Sequence, residues 1–332
     1  MPSLPKPLRR SARSREGAGN APEPQVQPPN VDVVESNGLR WINIERPRAS
    51  ERAWLEEHYD FHHLELEDVF SRNQRPKIDE NEAYLFIVLH FPRFDKQIQR
   101  LNTAELDVFI GADYLITLPN EPLQPISYLF ERCRSREDVR EQLFSKGPGF
   151  LLYKIVDDSV DASFPMLRKM GNKLERIEDE IFEGRSTEVV RDISNVKQEI
   201  INFRKIVRPQ RAVLGDLERT KSRYIADELD IYFDDINDAS ERVWQMLEGY
   251  KETVEALEAT NESVIGHRLS DVLRVLTAFS VILLPLTLLA SIWGMNTHVP
   301  GEGEVWGFLL VIGIMVVLLV SMVTWFRRRG FL

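Results

Sequence analysis

The chain has 332 residues and a formal net charge of −10 at pH 7, a length that allows about two domains. The negative balance argues against a nucleic-acid-binding protein, because such proteins usually carry an excess of basic residues. The single cysteine, Cys133, excludes an intrachain disulfide framework and suits a reducing, cytosolic compartment.

Residues 1–30 are rich in proline, arginine and small residues and contain no apolar run. This composition cannot bury enough apolar surface to fold, so we predict a disordered tail. A secretory signal peptide needs an apolar core segment, and we therefore expect no signal peptide here.

Residues 31–150 alternate between strand-like and helix-like segments. AYLFIVLHF, LDVFIG and DYLITLP are rich in β-branched and aromatic residues, which predicts strands. WLEEHYDFHHLELEDVF and ISYLFERCRSREDVREQLF have a helical pattern. The alternation predicts a compact cytosolic α/β domain, so that the cytosolic part as a whole, with its later helices, has an α+β fold.

Residues 151–270 are predicted to form a stalk of long helices. The first helix ends at Gly184, which fits a C-cap, and the second spans roughly Glu188–Glu218 with Pro209 inside it. The third begins near Asp235 and meets no proline before Pro285. It therefore runs unbroken into the apolar region, over about 75 Å at 1.5 Å per residue.

The third helix carries an apolar seam with the spacing of a coiled coil. Its members are Val243, Leu247, Tyr250, Val254, Leu257, Asn261 and Val264. Such a seam packs either against the chain's own helices or against another subunit, and the sequence leaves both open. The helix is also acidic, with twelve carboxylates between Asp227 and Glu262. That charge fits either an ordinary solvated face or a cation-handling role, since hard divalent cations prefer oxygen ligands.

Two uncharged apolar runs, residues 275–293 and 305–326, lie near the C-terminus. A bilayer core needs about 20 apolar residues per helix, so each run is long enough to cross once. The link 294–304 is too short to return across a bilayer, and the two runs must form a hairpin. We predict a two-span transmembrane pore domain over residues 271–327.

Basic residues flank the outer ends of this hairpin, with Arg268 and Arg274 before the first run and Arg327–Arg329 after the second. The positive-inside rule places that side in the cytoplasm. We therefore expect a multi-pass protein of the cell membrane with both termini cytoplasmic, including a basic tail over residues 328–332. The link, with Glu302 and Glu304, then faces outward.

The first run carries a mildly polar stripe along one helical face. Its members, spaced three or four residues apart, are Ser270, Leu273, Thr277, Ser280, Leu284, Thr287 and Ser291. Small and hydroxyl residues favour helix packing in lipid, so the stripe is either a packing face or the wall of a pore. A single hairpin cannot enclose a pore, and the pore hypothesis requires several copies around a symmetry axis.

Gly294, Met295 and Asn296 follow the first run and precede a short acidic loop and the second run. This arrangement resembles the GMN signature of the CorA-type divalent-cation channel family. The segment LELEDVFSRNQRPKID and the basic end RRRGFL are also similar to that family. The resemblance extends from about residue 31 to the C-terminus.

The resemblance implies a funnel-shaped homopentamer in the lipid bilayer, with five copies of the first membrane helix around the pore. It implies Mg2+ as the main substrate, with Co2+ and Ni2+ also carried, and no organic cofactor. Gly294, Met295 and Asn296 would form the selectivity filter, in which a ring of Asn296 captures a hydrated ion. The implied pore wall repeats the stripe and adds Leu276, while Glu302 and Glu304 would attract cations.

The family also closes when cytosolic Mg2+ binds acidic sites between subunits. The matching positions here are Asp95, Asp161 and Asp235. Where some members carry a further aspartate, this chain has Ala259 beside Glu258, and Glu258 is the candidate substitute. Ser270 likewise replaces an asparagine that some members have near the cytosolic mouth of the pore.

Two alternatives remain open at the level of the sequence. A Zn2+ transporter of the ZntB type shares the GMN signature, and the loop THVPGEGE does not separate the two. A membrane-anchored scaffold would use the hairpin only as an anchor and the stripe only for packing. An enzyme is not supported, because the chain has neither a phosphate-binding GxxxxGK[ST] loop nor a catalytic nucleophile motif.

Overall fold

The computed structural model describes residues 28–71, 74–95, 100–185, 188–220, 224–295 and 304–331. Most of the predicted tail, residues 1–27, lies outside the described residues. The strands are β1 Asp32–Ser36, β2 Leu39–Asn43, β3 Lys77–Glu80, β4 Leu85–Asp95, β5 Arg100–Ile110 and β6 Tyr114–Pro119. The helices are α1 Ala49–His58, α2 His63–Phe70, α3 Gln124–Ser135, α4 Glu137–Phe144, α5 Pro148–Asp161, α6 Ser163–Phe182, α7 Val190–Arg219, α8 Asp230–Trp293 and α9 Val305–Arg328.

The six strands form one sheet in the order β1-β2-β6-β5-β4-β3. Only the β2–β6 pair is parallel among these neighbours. The β1–β2 hairpin turns at Asn37 and Gly38, whose φ angles of 53° and 76° are those of a tight primed turn. The three predicted strand segments all lie in β4, β5 and β6, which confirms the α/β character of residues 31–150.

Three of the predicted helical segments are each divided in two. The backbone of Tyr59 is extended, with φ −138° and ψ 143°, and this ends α1. The turn allows the Phe61 ring to stack on the Phe109 ring of the sheet, with 4.0 Å between the ring centroids. Arg136 is also extended and separates α3 from α4. The helix predicted from residue 151 begins at Pro148 and is divided at Ala162. Pro165 follows this division and cannot donate the next helical hydrogen bond, which explains it.

The sheet is covered on both faces. One face packs under α1 and α2 around residues such as Phe86 and Phe109. The other packs under α3 and α5, the end of α7 and the start of α8, with Leu151 and Phe233 in the same core. The predicted boundary at residue 150 therefore falls inside α5, which belongs to the core of the sheet.

A separate core joins α6, α7 and α8. It contains the seam residues Val243, Leu247, Val254 and Leu257, which are at most 6% exposed, together with residues of α6 and α7. The seam therefore packs against the chain's own helices, which answers the question that its spacing left open.

The cap predicted at Gly184 has a clear structural role. Gly184 has φ +97° and follows α6, with its N–H bonded to Ile181 O at 3.2 Å and the next N–H bonded to Glu180 O at 3.0 Å. This is a Schellman cap and confirms the predicted end of the helix. Helix α7 continues through Pro209, and α8 continues through Pro285.

The segment LELEDVFSRNQRPKID is held together by polar contacts around α2. Glu65 accepts a hydrogen bond of 2.5 Å from the Tyr84 hydroxyl. The Lys77 ammonium lies 2.7 Å from the Asp68 carboxylate and so links the LEDV and QRPK parts of the motif. These contacts fix α2 on the edge of the sheet, so the motif has a structural role.

Two helices are long and apolar enough to cross a membrane, α8 with the short turn before it and α9. Only 11% of the most apolar window of each is buried, which does not fit the core helix of a soluble protein. The two pack as a hairpin in which Ala278 and Ile282 of α8 meet Phe326 of α9. Leu286, Met322 and Val323 pack around this contact.

Asp107 of β5 is 1% exposed, and its Oδ1 atom has no hydrogen-bond partner. Burial raises the pKa of Asp107 well above its usual range, and the nearby Glu105 and Asp68 raise it further, whereas Lys77 lowers it. The folded domain therefore holds a proton on Asp107 that the unfolded chain releases at lower pH. Folding is most favoured below the unfolded pKa, and stability is lost as the pH rises through the folded pKa.

We expect Asp107→Asn to remove this pH dependence. In the wild type, each pH unit inside the window costs up to about 1.4 kcal/mol of folding free energy. Thermal unfolding of the detergent-solubilised protein between pH 5 and 8 measures the effect. The variant should unfold at a higher temperature than the wild type at pH 8, with a flatter profile. Glu82→Gln, at an exposed acid, is the control, and a less stable Asp107→Asn at pH 8 contradicts the assignment.

We expect Ala278→Leu to open the membrane hairpin, because Ala278 is fully buried against α9. Overpacking of a tight contact costs about 1–3 kcal/mol. Ala290→Leu is the matched control, since Ala290 is exposed on the same helix. Thermal unfolding in detergent compares the two variants, and equal losses of stability would show that the Ala278 contact does not hold the hairpin.

Candidate functional site

The polar stripe lies on the face of α8 that points away from α9. At about 100° per residue, the centre of the stripe is about 160° around the helix from the Ala278–Ile282 contact face. Leu273, Leu276 and Leu284 are 51%, 60% and 68% exposed. The other members, Ser270, Thr277, Ser280, Thr287 and Ser291, are also exposed. The structure thus brings all eight predicted pore-lining residues to one uncovered face.

Three hydroxyl groups of the stripe donate to backbone carbonyls of the same helix. Thr277 Oγ1 donates to Leu273 O at 2.7 Å, Ser280 Oγ donates to Leu276 O at 3.0 Å, and Thr287 Oγ1 donates to Leu283 O at 2.9 Å. A hydroxyl that donates its hydrogen in this way still has oxygen lone pairs for accepting. The uncovered face therefore offers hydrogen-bond acceptors to water molecules and apolar side chains between them.

The C-terminal end of α8 is capped at Gly294. Its N–H bonds to Ala290 O at 3.0 Å, and the Met295 N–H bonds to Ile292 O at 3.3 Å. Met295 is 59% exposed at this end. Asn296 and Glu302 lie outside the described residues.

Glu304 is placed just before α9. Its backbone is extended, and its carboxylate accepts a hydrogen bond from Trp306 Nε1. An acidic side chain is favourable at a helix N-terminus because of the orientation of the peptide dipoles. Glu304 therefore has a local structural role at the predicted outer side in addition to its charge.

The opposite end of the hairpin is basic. Arg274 lies 3.2 Å from Asp271 one turn earlier, and Arg329 lies over the ring of Trp325 at 5.5 Å. Arg327 and Arg328 end α9. The chain thus brings the predicted cytoplasmic arginines to one end of the membrane hairpin.

Asp235 lies close enough to Asp161 for its charge to act on the Asp161 carboxyl. Removal from water raises the pKa of Asp161, and Asp157, Asp158 and Asp235 raise it further, whereas Lys154 lowers it. Lys154 sits in this acidic group, 2.8 Å from both Asp157 and Asp158. The like charges around Asp161 would be relieved by a cation.

The other two predicted regulatory residues are not part of that group. Asp95 ends β4 and lies 3.7 Å from Arg93. Glu258 forms an ion pair of 2.6 Å with Lys197 of α7. Within the described ranges of this single chain, no three His, Cys, Asp or Glu side chains are arranged to hold a metal ion.

Three ion pairs between α7 and α8 were not anticipated from the sequence. Lys197, Arg204 and Arg211 lie seven residues apart on α7 and pair with Glu258, Glu248 and Glu241 of α8. We call this set the α7–α8 ladder. The seven-residue spacing of basic residues was the signal in the sequence that could have predicted it.

The chain was compared with known proteins. The family model described as "CorA-like Mg2+ transporter protein" matches residues 36–328. The cobalt/magnesium transport protein CorA of Thermotoga maritima is 29% identical over 302 residues, which cover 90% of this chain and 85% of that protein. The zinc transport protein ZntB of Yersinia pseudotuberculosis is 19% identical over 305 residues, with 91% of each chain covered.

The solved structure of the CorA magnesium transporter from Methanocaldococcus jannaschii has the same fold. The two structures match with a TM-score of 0.79 and 24% identity over 90% of this chain and 93% of the other. The predicted α+β part, long helices and two C-terminal apolar helices are confirmed by this match. Because the family model spans most of the chain, the protein belongs to the CorA-like Mg2+ transporter family and is a divalent-cation transporter, not an enzyme.

Proposed function

We propose that the protein is a channel through which Mg2+ enters the cytosol, with Co2+ and Ni2+ as further substrates. The observation that carries the proposal is the uncovered stripe of α8, which combines hydroxyl and leucine side chains opposite the α9 contact. Hydroxyl oxygens accept hydrogen bonds from the water shell of Mg2+, an ion that dehydrates reluctantly. The leucines form a narrow apolar constriction that gates by dewetting.

The pore requires several copies of the chain, and a homopentamer is the proposed assembly. A second face of α8 supports self-association: Ile265, Leu269 and Val272 are spaced four and three residues apart and are 37%, 59% and 64% exposed. The face lies about 80° around the helix from the stripe. With the stripe toward a central axis, this face meets the neighbouring α8 and α9 lies outside, against lipid.

Ion selection is assigned to the outer mouth. The filter comprises Gly294, Met295 and Asn296, in which amide oxygens of an Asn296 ring bind the hydrated ion without stripping its water. Amides bind more weakly than carboxylates would, and conduction needs easy release. Met295 packs, because a thioether is a poor ligand for a hard cation, and Glu302 and Glu304 raise the local cation concentration.

The proposed orientation has both termini in the cytoplasm of a cell membrane. The basic end of the hairpin, with Arg268, Arg274 and Arg327–Arg329, marks the cytoplasmic side. The membrane potential then drives cations inward, by about 2.3 kcal/mol per charge for each 100 mV. No nucleic acid and no organic cofactor take part in this function.

Feedback by cytosolic Mg2+ is proposed for the acidic group of Asp161 and Asp235, with Asp95 supplied from another subunit. Mg2+ serves there as a regulatory ligand as well as the substrate. Glu258 is the weaker candidate ligand, because Lys197 already neutralises it.

The alternatives make different predictions about flux. A Zn2+ transporter of the ZntB type would share the architecture but would prefer Zn2+, so competition between Mg2+ and Zn2+ in uptake assays separates the two. A non-transporting scaffold predicts no ion flux and no effect of replacing the stripe hydroxyls by leucine.

We expect Asn296→Ala to lower Mg2+ uptake into liposomes that carry the purified protein. The loss of the ring should reduce uptake at least about tenfold, which corresponds to about 1.4 kcal/mol. Asn202→Ala, at a half-buried position on α7, is the matched control for reconstitution. Undiminished Mg2+ flux in Asn296→Ala would rule out the selectivity ring.

We expect millimolar Mg2+ to slow proteolysis of the wild type by closing the cytosolic helices. Asp235→Ala should lose most of this protection, whereas Glu252→Ala, at an exposed acid of the same helix, should keep it. Because the pKa of Asp161 is raised, protonation competes with Mg2+, and protection should weaken as the pH falls. Identical cleavage with and without Mg2+ in the wild type and in Asp235→Ala would contradict the regulatory site.

A further inference from the structure

Residues 265–277 of α8, here called the neck, are exposed and are not covered by any other described part of the chain. Asn261 is buried and Val264 is partly buried. The next buried residue of α8 is Ala278. All residues between Val264 and Ala278 are exposed. The neck is a stretch of about 20 Å, and it carries Ser270, Leu273 and Leu276 of the stripe.

Among the described residues, a hydrogen bond joins the neck to the end of α6. The guanidinium of Arg268 donates a hydrogen bond from Nη1 to the carbonyl oxygen of Gly184, in the cap of α6. A Cβ atom on Gly184 would lie only 2.6 Å from Nη2 of Arg268. Gly184 also has φ +97°, a conformation that other residues rarely adopt. The contact therefore requires glycine at position 184 for two reasons: the positive φ angle, and the room that the Arg268 guanidinium occupies next to the Cα atom.

The direction of this contact follows from helical geometry. Arg268 lies about 140° around α8 from the centre of the stripe. The hydrogen bond from Arg268 to Gly184 thus pulls the neck toward α6 and α7, away from the side that the stripe faces. Leu273 and Leu276 are more than half exposed on the stripe side. Burial of such side chains is favourable, so free necks would be drawn together through their leucines.

We propose that Arg268 and Gly184 form a tether that holds the neck outward and opposes closure of the leucine constriction. Arg268 is a positioning residue, since it acts on the constriction through α8 and touches no ion. This inference rests on the proposed function in that it takes the stripe as the pore wall. It adds a residue pair that sets the width of the cytosolic mouth.

The first test measures the accessibility of the neck without any ion flux. A Leu273→Cys reporter in liposomes is labelled with a charged maleimide. Cys133, the natural cysteine, gives little background, because it is fully buried and burial raises its pKa to about 11. We expect Arg268→Ala to slow labelling about fivefold, the size of effect found for residues that couple distant elements.

Gly184→Ala should slow labelling as Arg268→Ala does, because it breaks the same contact from the other side. Arg274→Ala is the matched control, since Arg274 pairs with Asp271 of its own helix. The double variant Gly184→Ala/Arg268→Ala should be no slower than either single variant. Unchanged or faster labelling in Arg268→Ala would overturn the tether, provided that its thermal unfolding matches that of the wild type.

The second test measures Mg2+ uptake in the same liposomes. Arg268→Ala should lower uptake about fivefold, and adding Leu276→Ser should restore it by weakening the attraction between necks. If the wild type carries Mg2+ and Arg268→Ala carries it equally well, the tether is wrong. If the wild type carries no divalent cation but labelling responds as expected, the proposed function fails and the tether stands.

Discussion

The continuity of α8, which runs through Pro285 without ending, is the constraint on which the rest of the structure depends. The helix starts in the core of the sheet with Phe233 and Ile236, continues against α6 and α7 with Leu247 and Leu257, and ends at Trp293 beyond the contact with α9. Its 64 residues span about 96 Å. A single helix of this length transmits displacement along its axis, so the sheet, the stalk and the membrane hairpin share one mechanical element. Its side chains change with the surroundings, from core contacts to an acidic surface and then to apolar residues.

The sheet and the stalk are complete as a fold within one chain, whereas the membrane part is not. Three buried clusters cover the sheet and the stalk. In the membrane hairpin, the described buried cluster has Ala278, Ile282 and Phe326 at its centre. Large apolar side chains such as Leu284 and Leu309 are exposed on the two spans. Lipid and neighbouring chains must cover these surfaces, so the hairpin acquires its full packing only in a membrane.

The sequence predicted those features that have a strong local pattern. Two uncharged runs, the strands rich in β-branched residues, the cap at Gly184 and the stripe on α8 all follow from periodicity or composition. The divided helices could not be predicted in this way, because the break at Tyr59 depends on Phe61 packing against Phe109, a contact 48 residues away in the chain. The partner of the α8 seam depended likewise on where α6 and α7 fold. The roles of Asn296 and of the regulatory acids remain predictions. The ion pair between Lys197 and Glu258 shows that a contact made in the fold can neutralise a residue that the resemblance marks as a candidate ligand.

The α7–α8 ladder has a consequence for the ion atmosphere around the stalk. Lys197, Arg204 and Arg211 neutralise Glu258, Glu248 and Glu241 on the side where the two helices meet. The unmatched acids of α8, such as Asp234, Asp238 and Glu252, are exposed on its other sides. The stalk therefore concentrates mobile counter-ions along its outer surface, within a screening length of about 8 Å at physiological salt. Cations near the basic end of the hairpin thus meet a local ionic composition that differs from the bulk solution and changes with ionic strength.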